Sequence, residues 1–202
     1  DVYKRQANKV YDATNSAITT LTLTGLIGTE TLTSSNTSTF NNKNVGTGKT
    51  VTVNSITLAN GTNGGLAANY SISPGQASTA NVTAKVLTAI ASTSNKVYDS
   101  TTLANTTLTL SGLIGSETLN VTANSTFDNK NIGSGKTVTV NSITLADGTN
   151  GGLAANYSIA TSQTTIATVT AKPLIVSGIT ASNKSYDTTT SVSLNTSSLL
   201  YN

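Results

Sequence analysis

The chain of 202 residues contains no cysteine, histidine, methionine or tryptophan. Without cysteine, neither a disulfide framework nor a thiolate metal site is possible. Without histidine, the triads and acid–base relays that depend on imidazole are excluded. Aromatic residues make up 4% of the chain and charged residues 9%, with a net charge of +3 and scattered lysines. Nucleic-acid binding needs a clustered basic face or stacking platforms. These absences favour a protein that is not an enzyme, uses no cofactor and binds no nucleic acid.

The residues that are abundant indicate β structure. Thr, Ser, Asn, Gly and Ala surround short runs of Val, Ile and Leu, and β-branched side chains suit a pleated surface. Leu108 and Leu110 alternate with Thr, as do Val138 and Val140, which is the period of a half-buried strand. No apolar stretch reaches the roughly 18 residues of a membrane-spanning helix. The predicted fold class is all-β.

An internal repeat dominates the sequence. Residues 39–72 recur at 126–159 with four conservative differences, so the period is 87 residues. The sequence Asn-Lys-Val-Tyr-Asp occurs at 8–12 and 95–99, and Asn-Lys-Ser-Tyr-Asp opens a third copy at 183–187. This period is too long for one coil of a solenoid and suits a small domain with its own core.

The repeat divides the chain into four parts. Residues 1–6 break the pattern and are interpreted as a non-native tail. Residues 7–84 are a first repeat expected to lack its first strand, residues 85–171 a complete second repeat, and residues 172–202 the truncated start of a third. No Gly- or Ser-rich linker separates the repeats, which predicts a stiff, extended array. We expect any export signal to lie outside this chain.

Alternation and turn signals predict six strands in the second repeat. They lie near residues 86–91, 106–111, 118–127, 136–146, 155–160 and 164–171. Short antiparallel strands at this spacing favour a small Ig-like β-sandwich. The prediction is therefore a tandem array of such sandwiches.

One strand carries a change of parity. Val138 and Val140 are even-numbered, whereas Ile143 and Leu145 are odd. A regular strand would turn one of these pairs to solvent. We therefore predict a β-bulge or a bend at residues 141–142.

The recurring Tyr-Asp pair is the candidate structural signature of the repeat. Asp99 followed by Thr101 predicts an Asx turn with the ring of Tyr98 anchored below it. The signature residues are Tyr11, Asp12, Tyr98, Asp99, Tyr186 and Asp187.

Two stretches imitate binding motifs. The sequences at 46–50 and 133–137 resemble the end of a phosphate-binding loop, but the motif's first glycine is missing and a strand follows instead of a helix. A hairpin turn is predicted there. Asp147 begins a stretch similar to a calcium loop, yet the other repeat has Asn60 in its place. Because a calcium site gathers several carboxylates, Asp147 is only a weak metal candidate.

Acidic residues and lysines give two further candidates. Glu117 and Asp99 form a candidate catalytic carboxylate pair. Lys130, Glu117 and a nearby Asn form a candidate intramolecular isopeptide site. Each acid recurs in the first repeat, as Glu30 and Asp12, and a duplicated active site on so small a domain would be unusual. Turn and edge roles are predicted for the acids, and no catalytic, cofactor or metal residue is assigned.

Taken in order, the motifs resemble the YDG repeat domain of bacterial filamentous-haemagglutinin-like adhesins. The resemblance rests on residues 95–99 (NKVYD), 108–113 (LTLSGL), 127–140 (FDNKNIGSGKTVTV) and 155–159 (ANYSI). It covers the chain beyond residue 6. The family's usual glycine after Tyr-Asp is replaced by Ala13, Ser100 and Thr188, so we expect that turn to form without a positive φ.

The resemblance implies a function that composition alone does not give. It implies structural stalk repeats of a cell-surface or secreted adhesin, associated with the outer membrane of a Gram-negative bacterium and contributing to cell adhesion. Neighbouring repeats of the same chain are then the first partners. The alternative is that each repeat weakly binds host or environmental glycans or matrix proteins and gains avidity by repetition. Exposed aromatic rings at Phe127 and Tyr157 would favour this alternative. A flat, threonine-rich face that binds ice or another crystal is a third reading.

Overall fold

The computed structural model describes residues 2–160, 162–197 and 200–201, and it is all-β. The strands of the first repeat are β1 (Val2–Gln6), β2 (Lys9–Val10), β3 (Ser16–Ala17), β4 (Thr19–Leu23), β5 (Leu32–Phe40), β6 (Gly46–Asn60) and β7 (Ala77–Thr83). The strands of the second are β8 (Lys85–Thr93), β9 (Lys96–Val97), β10 (Leu103–Ala104), β11 (Thr106–Ser111), β12 (Leu119–Phe127), β13 (Gly133–Asp147), β14 (Tyr157–Ile159) and β15 (Gln163–Thr170). One 3₁₀ turn precedes the end of each repeat, at Ala67–Asn69 and Ala154–Asn156. Among the described residues, no helix is long and apolar enough to cross a membrane.

Each repeat is built on a five-stranded sheet. The strand order is β3-β5-β6-β7-β2 in the first repeat and β10-β12-β13-β15-β9 in the second. A second sheet has the order β11-β8-β14 in the second repeat, and its counterpart in the first is the pair β1-β4. All six strands predicted for the second repeat are present. Their Ig-like sandwich arrangement stays a prediction.

The prediction that the strands are all antiparallel is wrong at the sheet edges. β2 pairs in parallel with β7, β9 with β15, and β14 with β8. A parallel pair needs a long crossover connection, and each of these pairs joins strands from opposite ends of a repeat. β2 and β9 are only two residues long and show no alternation, which explains why the sequence pattern missed them. β14 was predicted as a strand, but its parallel pairing was not.

The predicted bulge is present in both repeats. Asn124 is opposite Ser142 and Ser125 is opposite Val140, so Asn141 has no opposite residue in the ladder. The first repeat shifts its register at the equivalent place, next to Asn54. The extra residue keeps the apolar side chains before and after it on the less exposed side of the strand.

Residues 2–6 correct one expected boundary. They form β1, paired with β4 so that Arg5 is opposite Thr20. In the second repeat Ser92 is opposite Thr107, which is the same register. The first repeat therefore does not lack its first strand, because backbone pairing needs only an extended segment at the edge of β4. The proposed non-native origin of residues 1–6 stays a prediction.

The start of the third repeat forms two small strand pairs. They are made by β16 (Val176–Ser177), β17 (Thr180–Ala181), β18 (Leu194–Asn195) and β19 (Leu200–Tyr201), with β16 pairing with β19 and β17 with β18. Ala181 is opposite Leu194, which is the register of β8 on β11. Residues 171–197 are all exposed.

The core consists of two clusters. Phe127, Val138, Ala167 and Val169 form the cluster on the five-stranded sheet of the second repeat. The equivalent residues of the first repeat, Phe40, Val51, Ala80 and Val82, belong to a larger cluster. That cluster also contains Tyr11 of the first repeat and both Leu87 and Tyr157 of the second. One hydrophobic core therefore runs across the junction between the repeats.

Candidate functional site

The candidate site is the junction where the first repeat contacts the second. The front surface of the first repeat consists of Tyr11, Lys43, Asn44 and Val45. The rear surface of the second repeat consists of Leu110, Leu113, Ile114, Glu117, Asn156 and Tyr157. Contacts between these two surfaces are both polar and apolar.

Tyr11 is placed by the turn that follows β2. Its backbone N–H donates to the carbonyl of Thr83 at 2.9 Å, which ties it to the end of β7. Asp12 then accepts hydrogen bonds from the backbone of Thr14 at 2.9 Å and from Lys9 Nζ at 2.7 Å. This closed turn directs the Tyr11 ring into the junction, where only 1% of the residue is exposed.

Glu117 is placed by the glycine-rich loop after β13. Thr118 donates its backbone N–H to the carbonyl of Thr149, and Thr149 donates its own to Thr118 Oγ1 at 2.8 Å. The loop approaches so closely that a Cβ on Gly148 or Gly152 would lie 2.1 Å or 1.9 Å from the carbonyl oxygen of Thr118. Only glycine fits there. The clamp fixes the backbone next to Glu117.

Three side chains surround the Glu117 carboxylate. The hydroxyl of Tyr11 donates to Oε1 at 2.7 Å, and the hydroxyl of Tyr157 donates to Oε2 at 2.6 Å. Lys43 Nζ lies 3.4 Å from Oε1. Glu117 is only 7% exposed, and a buried charge is tolerated when it is paired and hydrogen-bonded. Two of its three partners come from the other repeat.

The pKa values at the junction reflect this network. Burial alone would raise the pKa of Glu117, but hydrogen bonds from Tyr157, Tyr11 and Lys43 and the charge of Lys43 outweigh it and hold the pKa below its usual value. Burial, and then hydrogen bonding to Glu117, raises the pKa of Tyr11 to about 12. The same two causes raise the pKa of Tyr157 to about 12. Glu117 therefore binds as a carboxylate and the two tyrosines as neutral donors.

Asn156 forms the second polar contact. Its Oδ1 accepts the backbone N–H of Val45 at 3.0 Å, and its Nδ2 donates to Asn44 Oδ1 at 3.1 Å. Only 1% of Asn156 is exposed. One buried side chain thus binds the loop of the preceding repeat through both its acceptor and its donor.

Aromatic and aliphatic side chains fill the space around these hydrogen bonds. The rings of Tyr11 and Tyr157 pack edge to face, with centroids 5.4 Å apart and planes at 77°. Such a pair contributes about 0.5–1.5 kcal/mol beyond the area that it buries. Leu110, Leu113 and Ile114 pack against the same cluster. The junction therefore excludes water from its hydrogen bonds.

The comparison with protein families gives one result. The model of the YDG domain matches residues 2–80 and residues 83–165, one match for each repeat. The chain belongs to the YDG domain family. No curated protein and no solved structure matches the chain.

The signature pairs of the YDG repeats lie in three different environments. Tyr11 is buried in the junction, the equivalent Tyr98 is half-buried on the second repeat, and Tyr186 is 92% exposed. Asp12, Asp99 and Asp187 each pair with the lysine three residues earlier, Lys9, Lys96 and Lys184.

The Asx turn predicted at Asp99 is present. The backbone N–H of Thr101 donates to Asp99 Oδ1 at 2.9 Å. The hydrogen bond from Lys96, followed by those from Thr101, lowers the pKa of Asp99 to about 2. The aspartate closes the turn and the tyrosine is available for contact.

The expectation that this turn forms without a positive φ is wrong. φ is +63° at Ala13, +65° at Ser100 and +61° at Thr188. In each turn the preceding aspartate binds the lysine three residues before it and accepts the backbone N–H of the threonine two residues after it. These contacts hold the residue between them in the left-handed region. A side chain there costs roughly 1–2 kcal/mol, so each turn carries strain that the family's usual glycine would avoid.

The weak metal candidate Asp147 makes a structural hydrogen bond within its loop. Its Oδ1 accepts the backbone N–H of Ala154 at 2.7 Å and so closes the glycine-rich loop. Asn60 accepts from Ala67 in the same way at 2.8 Å, and this explains why Asp and Asn exchange there. Among the described residues, no three acidic, histidine or cysteine side chains come together as metal ligands.

The lysines of the two phosphate-loop look-alikes are also engaged. The hairpin turn predicted at 46–50 and 133–137 is misplaced, because β6 and β13 begin at the first glycine of each stretch and the turns are the preceding residues 41–45 and 128–132. The stretches themselves carry a register shift against β7 and β15. Lys136 Nζ lies 2.9 Å from Asp128 Oδ1 and donates to Asn129 at 2.6 Å. Lys49 donates to Asn42 in the same way.

Neither the candidate carboxylate pair of Glu117 and Asp99 nor the candidate isopeptide site of Lys130 and Glu117 is brought together. Glu117 binds tyrosines of the junction, whereas Asp99 binds Lys96 and Thr101, so their carboxylates share no partner. The lysine beside Glu117 is Lys43 of the preceding repeat. Lys130 is its exposed counterpart. Contact between neighbouring repeats was expected, but the sequence did not indicate that Glu117 and Lys43 form it.

One signal in the sequence marks these missed residues. Glu117 and Asn156 are polar residues beside apolar runs, and both recur in the first repeat, as Glu30 and Asn69. The motif around Asn156 is unchanged, and the motif around Glu117 differs only by exchanges of Ser and Thr. A polar residue in such a setting is informative when it is buried, because it then needs a partner. Burial is what the sequence could not show.

Proposed function

We propose that these YDG repeats are stalk repeats of a bacterial cell-surface or secreted adhesin. In this role they hold other parts of the protein at a fixed separation and so contribute to cell adhesion. The observation that carries the proposal is the continuous core with the buried Glu117 network at the junction. A stalk needs stiff connections between its repeats, and the features of this junction support such a connection.

The covalent connection supports stiffness. β7 ends at Thr83 and β8 begins at Lys85, so one residue separates two hydrogen-bonded strands. Leu87, only two residues into β8, is 2% exposed in the cluster that it shares with the first repeat. Flexible linkers are longer and rich in Gly and Ser. A hinge here would have to break strand pairing or expose Leu87.

The noncovalent contacts support stiffness as well. A hydrogen bond to a charged group contributes about 1.5–3 kcal/mol, and across the junction Glu117 accepts one from Tyr11, with Lys43 Nζ 3.4 Å from the same carboxylate oxygen. Every 1.4 kcal/mol changes an equilibrium constant tenfold. An open junction is therefore a minor state.

The alternative role, weak binding of glycans or matrix proteins by each repeat, receives less support. Its two aromatic candidates, Phe127 and Tyr157, are 3% and 5% exposed, so neither offers a stacking surface. A glycan and matrix-protein array probed with the whole chain tests this role. Saturable binding that a variant of an exposed residue abolishes would favour it over a pure spacer.

Small-angle scattering tests the stalk proposal. We expect the wild-type chain to scatter as one elongated particle and Tyr11→Ala to scatter as a broad ensemble. Tyr98→Ala is the matched control, because it removes the same ring from a front surface on which no complete repeat is docked. Wild-type scattering that fits a freely jointed pair of beads would overturn the proposal.

The surface location is a separate part of the proposal, and it rests on the resemblance to adhesins. Protease treatment of intact cells that express the natural protein tests it. Loss of the repeats from intact cells is the expected result. Repeats that are cleaved only after lysis would contradict a location at the cell surface.

A further inference from the structure

The first and last strands of the second repeat run side by side in the same direction. β14 pairs in parallel with the start of β8, where Tyr157 is opposite Lys85. β15 pairs in parallel with β9, where Thr170 is opposite Val97. The chain therefore enters the repeat at one end of this parallel arrangement, at Lys85, and leaves it at the other end, at Thr170.

Further hydrogen bonds reinforce the pairing of β9 with β15. Asn95 Oδ1 accepts the backbone N–H of Thr168 at 2.7 Å, just before the paired residues. The backbone N–H of Tyr98 donates to the carbonyl of Thr170 at 2.8 Å, just after them. Thr170 Oγ1 also donates to the carbonyl of Lys96 at 3.4 Å. The two-residue ladder is thus held on both sides.

The first repeat has the same arrangement between β2 and β7, which also pair in parallel. Asn8 Oδ1 accepts the backbone N–H of Asn81 at 2.8 Å, and the backbone N–H of Tyr11 donates to the carbonyl of Thr83 at 2.9 Å. Asn81 stands where the second repeat has Thr168, so the first of these bonds needs only the backbone at that position. The accepting asparagine is the same in both repeats.

The signature lysine ties β9 to the rest of its sheet. Lys96 Nζ donates to the carbonyls of Thr101 at 2.9 Å and Leu103 at 3.0 Å. It also lies 5.6 Å from the centroid of the buried Phe127 ring on β12. Leu103 begins β10, which pairs with β12. Displacing β9 along β15 would therefore disturb these contacts as well.

A pull along the chain loads the pairing of β9 with β15 in shear. The force reaches β8 at Lys85 and leaves β15 at Thr170, so the two parallel strands are drawn in opposite directions along their length. All the hydrogen bonds between them then share the force. A hydrogen bond contributes only about 0.5–1.5 kcal/mol, so strands that are peeled apart one bond at a time resist far less.

We propose that the parallel first and last strands make each repeat a shear clamp that resists tension along the chain. Bearing tension goes beyond the stalk function, because a rigid spacer need not resist a pull. The clamp lies inside each repeat, whereas the stiffness measured by scattering belongs to the junction between repeats. Either property can therefore fail while the other holds.

Single-molecule pulling in two directions tests the clamp. The chain has no cysteine, so handles can be attached at chosen pairs of exposed positions. Thr170→Cys is combined with Val86→Cys in β8, the shear pair, or with Val97→Cys in β9, the peeling pair. The shear pair draws the strands past each other, whereas the peeling pair opens β9 from β15 at their paired ends.

Forced unfolding follows the rate of unfolding, so the force at the first rupture reports how the bonds share the load. We expect a several-fold higher force for the shear pair than for the peeling pair. The released length should match one repeat, roughly 3.3–3.6 Å for each residue set free between the handles. Equal forces in the two directions would overturn the proposal.

A substitution inside the clamp separates it from general stability. Asn95→Ala removes the acceptor for the backbone N–H of Thr168, so we expect it to lower the force of the shear pair. The first rupture of the peeling pair should not change, because the ladder opens before residue 95 is reached. Asn105→Ala, at another exposed asparagine between β10 and β11, is the control and should change neither force. An unchanged shear force, or an equal loss in both directions, would contradict the role of Asn95 in the clamp.

Discussion

At the scale of single residues, Glu117 is the centre of the junction. A buried carboxylate that loses its partners costs several kcal/mol, whereas one that is fully paired is tolerated. Glu117 has hydrogen-bond donors from both repeats. The residue therefore makes the stability of one repeat depend on the other.

Replacing Glu117 with Gln should weaken the junction. The amide group can accept only one of the two tyrosine hydroxyl bonds without rearrangement, so we expect a loss of about 1.5–3 kcal/mol in the free energy of unfolding. Denaturant titration followed by circular dichroism measures it. Glu30→Gln is the matched control, because Glu30 binds Tyr70 but no preceding repeat. An equal loss in both variants would show that Glu117 acts within its own repeat only.

The strained turn gives a second prediction for a single residue. Ser100 has a φ of +65°, so Ser100→Gly should relieve strain and stabilise the chain by about 1 kcal/mol. Ser92→Gly, inside β8 and opposite Thr107 of β11, is the control and should destabilise by about 0.5–1 kcal/mol. Thermal unfolding of both variants measures the difference. If Ser100→Gly proves destabilising, the turn does not have the conformation described.

The sequence predicted residues that act locally and missed those that act across the junction. The Asx turn at Asp99 could be predicted, because its partners lie within three residues. The contact of Glu117 with Tyr11 joins residues 106 positions apart, and no local pattern encodes such a pairing. The positive φ at Ser100 was missed because the residue type argues against it.

At the scale of elements, the glycine-rich loop after β13 is the support of the rear surface. It clamps Thr118 through a backbone–backbone hydrogen bond with Thr149 and a second bond from the Thr149 N–H to Thr118 Oγ1, and so holds Glu117 in place. It also leads directly into the 3₁₀ turn that ends at Asn156. Both polar contacts of the junction therefore depend on one loop.

Gly152→Ala should displace this loop. A Cβ at this position would lie 1.9 Å from the carbonyl oxygen of Thr118, so the backbone must move, and we expect a loss of more than 2 kcal/mol. Gly65→Ala makes the same clash with Thr31 in the first repeat, but that loop supports no junction. Amide shifts at Lys43 and Val45 measure the effect on the junction. They should move with Gly152→Ala and stay in place with Gly65→Ala, and movement in both would contradict this role of the loop.

Long elements were predictable and short ones were not. Alternating apolar residues predicted the long strands of the second repeat, and the parity change between Val140 and Ile143 predicted its bulge. The two-residue strands, such as β9 and β10, have no period to detect. β9 pairs in parallel with β15 and β10 pairs antiparallel with β12. Which distant strand lies beside each of them is a property of the assembled repeat.

At the scale of the whole molecule, the junction joins the two repeats through one core. Its polar groups titrate at both ends of the pH range. Glu117 has a pKa below its unfolded value of 4.5, so its contribution is present above that pH and is lost as the pH falls through the lower folded pKa. Tyr11 and Tyr157 have pKa values of about 12 against 10.0 when unfolded. Their contribution is present below pH 10 and is lost as the pH rises toward 12.

Stability should therefore form a plateau between about pH 5 and pH 10 and fall on both sides. Tyrosinate absorbance measures the alkaline side cleanly, because the chain has seven tyrosines and no tryptophan. We expect at least two tyrosines to ionise late in the folded chain. In Glu117→Gln they should ionise nearer to pH 10. If all tyrosines of the folded wild type ionise together near pH 10, the buried network is not formed.

The most direct test of the shared-core junction is a distance distribution between the two repeats. The chain has no cysteine, so spin labels can be attached only at Ser35→Cys and Thr122→Cys, two exposed and equivalent positions on β5 and β12. Double electron–electron resonance should give one narrow distance peak for the wild-type background and a broad distribution when Tyr11→Ala is added. A broad distribution in the wild-type background would contradict a rigid junction between the YDG repeats.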